Sequence, residues 1–504
     1  MSIDETRMDL EFDKNASVDF GGGNLSSDAG LLTVGEFFHK IAMFALILKR
    51  FPHANGRIHQ AADILLQQIY SQIAGYHVDY AANSLKSDDL LKKLLGKDAL
   101  ASQPTMSRFF NSLNDEEITK LQDLLQELFL MANPPSSDLS FILDIDTTLL
   151  ETYGAQKESN FNGHYRATGY HPLLLFSAET GYLLNLQLRP GSMSGVKGIR
   201  EFLEPTFKWM RKVYGDIPIM LRGDSGFASN ELYLVCEENK IGYNIRLKSN
   251  SKLREQLESV QSEVRNKAEE KLAAEIDDFE KMEAELRAEA IQFFLKKHGY
   301  YNEENKTIEE HYEMMYQAKS WSKARRVVCC LTRKAGTFEY PECMFIVTSL
   351  ESSPDEASES LSDETTPKKT SPKRLFPEKA SRKQVIKIYR ERGNMENFIK
   401  ELKLDFGLTK VSHSSFFANF AKCLVKGIAY NLICWMKRAV FPAHMATVRH
   451  ISFRSDIIKT ACRITRSGRR TLFRLNSNTP FKKVILDIMQ RIRDFEPPLV
   501  YTAA

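Results

Sequence analysis

Ser140 to Leu150, SFILDIDTTLL, is the stretch on which the fold turns. Apolar residues alternate around two carboxylates, Asp144 and Asp146, which is the period-two pattern of a strand. Two residues apart, the carboxylates share one face, and Leu143 and Ile145 share the other. A carboxylate on a buried strand costs free energy unless it is paired or holds a metal. Downstream, GYHPLLLFSAETGYLLNLQLRPG (169–191) predicts two strands joined at Glu179-Thr180-Gly181. A helix is expected over 197–213. IPIMLRGDSGF (217–227) is then a strand ending in a turn, NELYLVCEENK (230–240) a helix, and GYNIRLKS (242–249) a strand. Strands that meander and then alternate with helices predict an α/β mixed sheet with helices packed on it.

The organisation extends outward from this core. Residues 1–137 read as a helical N-terminal region. AADILLQQIYSQI (61–73) has helical apolar spacing. SQPTMSRFFNSL (102–113) opens a helix at Pro104, and Thr105, Ser107 and Arg108 form its polar face, able to meet a DNA groove. Residues 138–250 are the first part of the core. Residues 251–350 are an insertion: heavily charged helices through about residue 317, then two strands, RRVVCCLTR and CMFIVTSL. Residues 351–382, rich in Ser, Pro, Glu and Lys, are expected to be a disordered linker. The core resumes over 383–440 with a helix from about Lys383 to Leu404. Residues 441–504 are a basic region expected to be helical. From Arg449 to Arg474 there are eight Lys or Arg against one acid, Asp456, a balance that suits phosphate contacts.

At 504 residues, several domains are expected. With 43% hydrophobic and 27% charged residues the composition is that of a globular protein. No apolar run reaches the ~18 residues of a membrane span, and MSIDETRMDLEF lacks the apolar stretch of a signal peptide, so neither membrane nor secretion is expected. Seven cysteines, an odd count with no CxxC pair, read as reduced thiols of a cytoplasmic protein. The net charge of +4 sums an acidic insertion and linker with a basic C-terminal region. Gly21-Gly22-Gly23-Asn24 has no Gly-Lys-Ser/Thr after it and is a turn, not a phosphate loop.

Three carboxylate settings can carry chemistry. The first is Asp144/Asp146. The second is Asp224, where an apolar strand meets the turn of LRGDSGF. The third is YRERGNMENFIKELK, in which Tyr389, Arg392, Glu396 and Lys403 share one helical face. Two strand carboxylates and a helix glutamate offer hard oxygen donors suited to two Mg2+ or Mn2+ ions, the arrangement that serves phosphoryl transfer.

The spacing Tyr389-x2-Arg392-x3-Glu396-x6-Lys403 resembles the Y-R-E-K signature of bacterial DDE transposases of the insertion-sequence 4 superfamily. The closest resemblance is to the insertion-sequence 1380 group, which has in the same order DAGLL (Asp28 to Leu32), LASQPTMSRF (Leu100 to Phe109), a DIDTT-like strand and RGDSGF. The resemblance implies an RNase H-like catalytic core, interrupted by an insertion domain and flanked by DNA-binding regions. It implies Asp146, Asp224 and Glu396 as catalytic, metal-holding carboxylates, with Asp144 the second candidate for the first position. Tyr389, Arg392 and Lys403 would contact DNA phosphates, and Trp321 would stack on an extruded base. The implied activity is cut-and-paste transposition: metal-dependent strand cleavage and strand transfer by a homodimer on double-stranded DNA. Two alternatives stay open: an RNase H-like nuclease without strand transfer, and a non-catalytic DNA-binding protein derived from a transposase.

Overall fold

The computed structural model describes residues 7–13, 15–54, 58–136, 138–304, 306–335, 340–353, 375–468 and 470–498. Nine strands make one mixed sheet. In chain order they are β1 (Phe141–Thr147), β2 (Leu173–Ser177), β3 (Leu183–Gln187), β4 (Ile219–Gly223) and β5 (Gly242–Leu247). β6 (Tyr301–Glu304), β7 (Thr307–Tyr316), β8 (Arg325–Lys334) and β9 (Glu342–Thr348) follow. In space the order is β6-β7-β8-β9-β5-β4-β1-β2-β3. β1 to β3 form the antiparallel meander that the Glu179-Thr180-Gly181 turn predicts. β4 and β5 run parallel to β1 and to each other, so each needs a helical crossover.

The first of those crossovers is Ile199–Tyr214 and the second Asn230–Glu238. Leu143 and Ile145 of β1 face the core that also holds Phe129, Phe207 and Met210, and Phe141 meets Tyr214 edge-on. The opposite face is covered by Arg382–Arg390, here α1. Its Val385, Ile386 and Ile388 pack on Ile142, Met220, Val328 and Ile346. Asp144 and Asp146 belong to this second face.

The charged segment departs from expectation in two ways. Its helices, Ser251–Glu275 and Ala284–Lys297, end well before residue 317, and four strands follow rather than two. The four continue the central sheet, because β9 pairs antiparallel with β5. The strand in TIEEHYEMMY is hard to see because glutamates crowd it. Its inward residues Tyr312, Met314 and Tyr316 nonetheless recur with period two. Most of the expected linker, residues 354–374, lies outside the described residues. Its described flanks join as a two-residue parallel ladder, Glu351–Ser352 with Lys379–Ala380.

A 25-residue helix, Phe416–Val440, runs through the interior. Its Asn431 accepts a hydrogen bond from the Leu183 N–H (2.8 Å) and donates to the Leu183 C=O (2.7 Å), which closes the edge strand β3. Among the described residues no single helix is long and apolar enough to cross a membrane.

The DAGLL motif joins the two ends of the chain. Ala29 and Gly30 donate to the carbonyls of Thr460 and Ile458. A Cβ on Gly30 would stand 2.1 Å from the Ile457 carbonyl oxygen, so only glycine permits this approach. Asp28 accepts from Tyr76 (2.8 Å) and Lys459 (2.7 Å). The basic stretch then differs from its helical expectation. Cys462–Ser467 (β10) and Arg470–Leu475 (β11) form a hairpin, to which Leu25–Ser26 adds a third strand. Buried Cys462 and Ile464 on either side of exposed Arg463 are the strand signal within it.

Candidate active site at the carboxyl end of the central strands

The register of β1 and β4 brings two sequence-distant carboxylates together. Arg222 lies opposite Asp144 and Gly223 opposite Ile145 on parallel strands. Asp146 and Asp224 are the next residues on each strand, just past the last paired position, and the Asp224 charge is felt at Asp146. Both therefore stand where these parallel strands end, the edge at which open α/β sheets place their sites. Asp224 is held by the turn that follows it: one carboxylate oxygen accepts from the Gly226 N–H (2.9 Å). Asp146 Oδ1 accepts from the Thr147 N–H (2.8 Å).

Asp144 is used differently. It is fully buried, and both its oxygens are taken by Arg222, at 2.7 and 2.8 Å. Arg222 in turn donates to the Ile388 carbonyl at the end of α1 (2.6 Å). This closed pair ties β1, β4 and α1 together. Both Asp144 oxygens are thus engaged by a buried arginine, whereas Asp146, the other candidate for the first ligand position, keeps solvent access.

The turn after α1 supplies the third element. Residues 391–393 form one tight turn, and Asn394–Leu404 (α2) follows. Right-handed helical dihedrals persist from Arg390 to Asn394, so the predicted face survives the junction. Arg392 donates to Asp146 Oδ2 (2.7 Å) and to the Ile145 carbonyl (3.3 Å). Lys403, eleven residues on, reaches the Thr148 hydroxyl (3.0 Å). Met395, Ile399 and Leu402 bury the inner side of α2 and hold it in place. Glu396 lies between Arg392 and Lys403 on the same strip, exposed, with no ion pair among the described residues. Its carboxylate and those of Asp146 and Asp224 do not all lie within 4.8 Å of one another.

Electrostatics agree with this grouping. Burial pushes the Asp146 carboxyl above its ordinary range; Arg392 pulls it down and the Asp224 charge pushes it further up. Tyr389, at the end of α1, is raised by burial and feels Arg392, Arg246, Asp224 and Asp146. Arg392 Nε–H is buried and donates to no acceptor, so the guanidinium carries an unused donor beside Asp146. Burial lowers the Lys403 ammonium.

Other expected residues fall elsewhere. Trp321 is 6% exposed and packs against Tyr233 and Tyr316 with Arg325 over its face, so it is a core residue here and has no free face for a base. Its burial follows from Arg325, which is anchored on Glu237 in the crossover helix. Thr105, Ser107 and Arg108 lie on Gln103–Asn111, with Phe110 and Met106 buried beneath. Arg108 is exposed, and Thr105 and Ser107 are half-buried. Two residues were not anticipated. Tyr165 is raised by burial and then by Asp146 and Asp224, which makes it a neighbour of both carboxylates. Arg246 sits exposed near the end of β5, beside β4. Tyr165 lies in NGHYRATGY, whose aromatic and polar mixture after the DIDTT strand was the available signal.

The oxygen-only set of Asp146, Asp224 and Glu396 fits a hard divalent cation, and two of its members already stand side by side. The sequence pattern of the family described as transposase DDE domain group 1 matches residues 8–497. No functionally curated protein matches the chain. Among solved structures, the cryo-EM structure of a piggyBac transposase synaptic complex with hairpin DNA is similar at 12% identity, over 94% of this chain and 83% of that chain, with a TM-score of 0.37.

Proposed function

The chain belongs to the transposase DDE domain group 1 family, and from that premise we propose that it is a bacterial transposase of the insertion-sequence 4 superfamily, of the insertion-sequence 1380 group. It cuts DNA at the ends of its element and transfers the freed strand to a target. Members of the family typically transfer phosphoryl groups and use divalent metal. The observation that carries the reading is the approach of Asp146 and Asp224 just past the last β1–β4 register pair, with Arg392 on Asp146 and its Nε–H unused. The sheet order also supports an RNase H-like core: an antiparallel three-strand meander, then two strands parallel to the first.

Asp146, Asp224 and Glu396 would hold Mg2+ or Mn2+, which when bound supplies an activated water and neutralises charge on the phosphate. The chain's own groups do the positioning. Arg392 is planar and permanently charged, and its unused donor can grip a phosphate oxygen while another holds Asp146. Lys403 acts as a point charge near Thr148, and the Tyr389 hydroxyl can donate to a second phosphate oxygen. The freed 3′-hydroxyl then attacks a phosphorus in line, of the opposite strand to form a hairpin or of target DNA, and displaces the bridging 3′-oxygen of that phosphate, with no bond to protein.

DNA beyond the scissile phosphate would rest on the basic hairpin. Arg463 lies directly opposite Arg474 across β10 and β11, and both are exposed. Like charges so placed repel each other, and a phosphate backbone relieves that repulsion. The test is Glu396→Gln with labelled element-end DNA and Mn2+. Cleavage should fall by at least ~10²–10³-fold, the effect of removing one preorganised electrostatic group, with end binding retained. Cleavage at the wild-type rate would refute the assignment.

A further inference from the structure

A second cluster of ligand atoms lies at the far end of α2, away from Asp146 and Asp224. Glu401 and Asp405 come from α2 and its C-terminus, and His450 from the segment before the basic hairpin. A carboxylate oxygen of each acid and a nitrogen of His450 lie within 4.8 Å of one another. Glu401 Oε2 is 3.0 Å from His450 Nδ1. That separation is compatible with two ligand atoms each ~2.0–2.2 Å from one ion. Asp405 is 1% exposed; its Oδ2 accepts from the Ile451 N–H (3.3 Å), but its Oδ1 accepts no hydrogen bond. A buried carboxylate oxygen that accepts no hydrogen bond is costly, and a closely seated cation would offset that cost. Phe406 and Tyr430 flank the imidazole at 5.1 and 5.2 Å between centroids and fix its plane. Cys434 Sγ, 3.5 Å from Nε2, engages the other ring nitrogen.

The cations nearby leave Asp405 Oδ1 without a hydrogen bond: Arg454 donates to the Asp405 and Ile73 carbonyls and Lys437 to the Val448 carbonyl. Arg449 is half-exposed and stands 3.5 Å from Asp405 Oδ1 and 3.9 Å from Glu401, with no aligned hydrogen bond to either. A different cluster, Glu309, His311 and Cys330, shows the contrast. There Arg390 already donates to Glu309 at 2.6 Å and lies 3.7 Å from the Cys330 sulfur, so the place is filled.

We propose that Glu401, Asp405 and His450 form a binding site for a transition-metal dication of the Zn2+ class, distinct from the carboxylates of the active site. Two carboxylates and one imidazole make a mixed oxygen and nitrogen set suited to such an ion. Bound there, the ion clamps the C-terminal end of α2, whose other end carries Glu396, to the segment leading into the basic hairpin. Arg449 swings outward into solvent.

The experiment uses the full chain carrying Asp146→Asn and Asp224→Asn, stripped of metal, with Zn2+ titrated by calorimetry. This background removes the proposed active-site ligands, so the outcome does not depend on the transposase reading. One Zn2+ should bind per chain. Asp405→Asn should weaken it at least ~10-fold. Arg449→Ala, at a half-exposed side chain, should tighten it by removing the competing cation. Absence of stoichiometric Zn2+ binding, binding indifferent to Asp405→Asn, or binding weakened by Arg449→Ala would each overturn the proposal.

Discussion

Two aspartate–arginine pairs sit two residues apart on one strand, and they do different work. Asp144 and Arg222 meet inside the sheet, sealed from solvent and bidentate. Asp146 and Arg392 meet at the sheet's carboxyl edge, through one carboxylate oxygen, with 19% of the Asp146 side chain open. Inside, each Asp144 oxygen accepts from Arg222, and Arg222 also donates to the Ile388 carbonyl, so the pair holds β1, β4 and α1 together. At the edge, each member keeps unused capacity: Asp146 has solvent access, and Arg392 has a free Nε–H. Similar chemistry makes a brace in one place and a candidate site in the other, because β4 ends opposite Ile145, between the two aspartates.

The strongest way to break this contrast is Asp144→Ala. It leaves the Arg222 charge buried and unpaired, and should destabilise the fold by ~3–5 kcal/mol in denaturant unfolding. A loss under 1 kcal/mol would mean that the interior pair is not a brace. Trp321→Ala asks the same of the aromatic core around Arg325. It should cost ~3 kcal/mol or more and leave element-end affinity unchanged once the protein is folded. Arg392→Lys sharpens the edge half of the comparison. A point charge cannot hold Asp146 and a phosphate at once, so cleavage should drop by ~10²-fold with stability changed by under 1 kcal/mol. The smallest effect is expected on the hairpin. Arg463→Ala and Arg474→Ala should each reduce the salt slope of DNA binding by ~1, with cleavage at saturating DNA preserved.

The contrast also explains what could be read in the chain. Period two in SFILDIDTT revealed a strand with both carboxylates on one face. RGDSGF placed Asp224 at a strand end, and the 3-, 4- and 7-residue spacing placed Arg392, Glu396 and Lys403 on one strip. These are local signals, carried by β1, by the end of β4 and by α2. The choice between Asp144 and Asp146 was not local. It depends on Arg222, which is 78 residues away and reaches Asp144 only because β4 lies parallel to β1 in that register. The strand count after residue 297 was obscured by glutamates that solvate the outer side of β7. The basic hairpin was obscured because arginine tolerates helix and strand alike, and only the short alternation around Ile464 marks it. Trp321 lay beyond local reading for the same reason as Asp144: its burial is set by Tyr233 and Arg325 from separate elements.

The central claim is that the edge pair is chemical and the interior pair structural. The direct test measures Mn2+-dependent nicking of element-end DNA by Asp146→Asn and Asp144→Asn side by side, each below its own melting temperature. The account predicts that Asp146→Asn melts as wild type does and cuts no DNA, whereas Asp144→Asn melts earlier but still cuts. Nicking by Asp146→Asn at the wild-type rate, with Asp144→Asn stable and inactive, would contradict it.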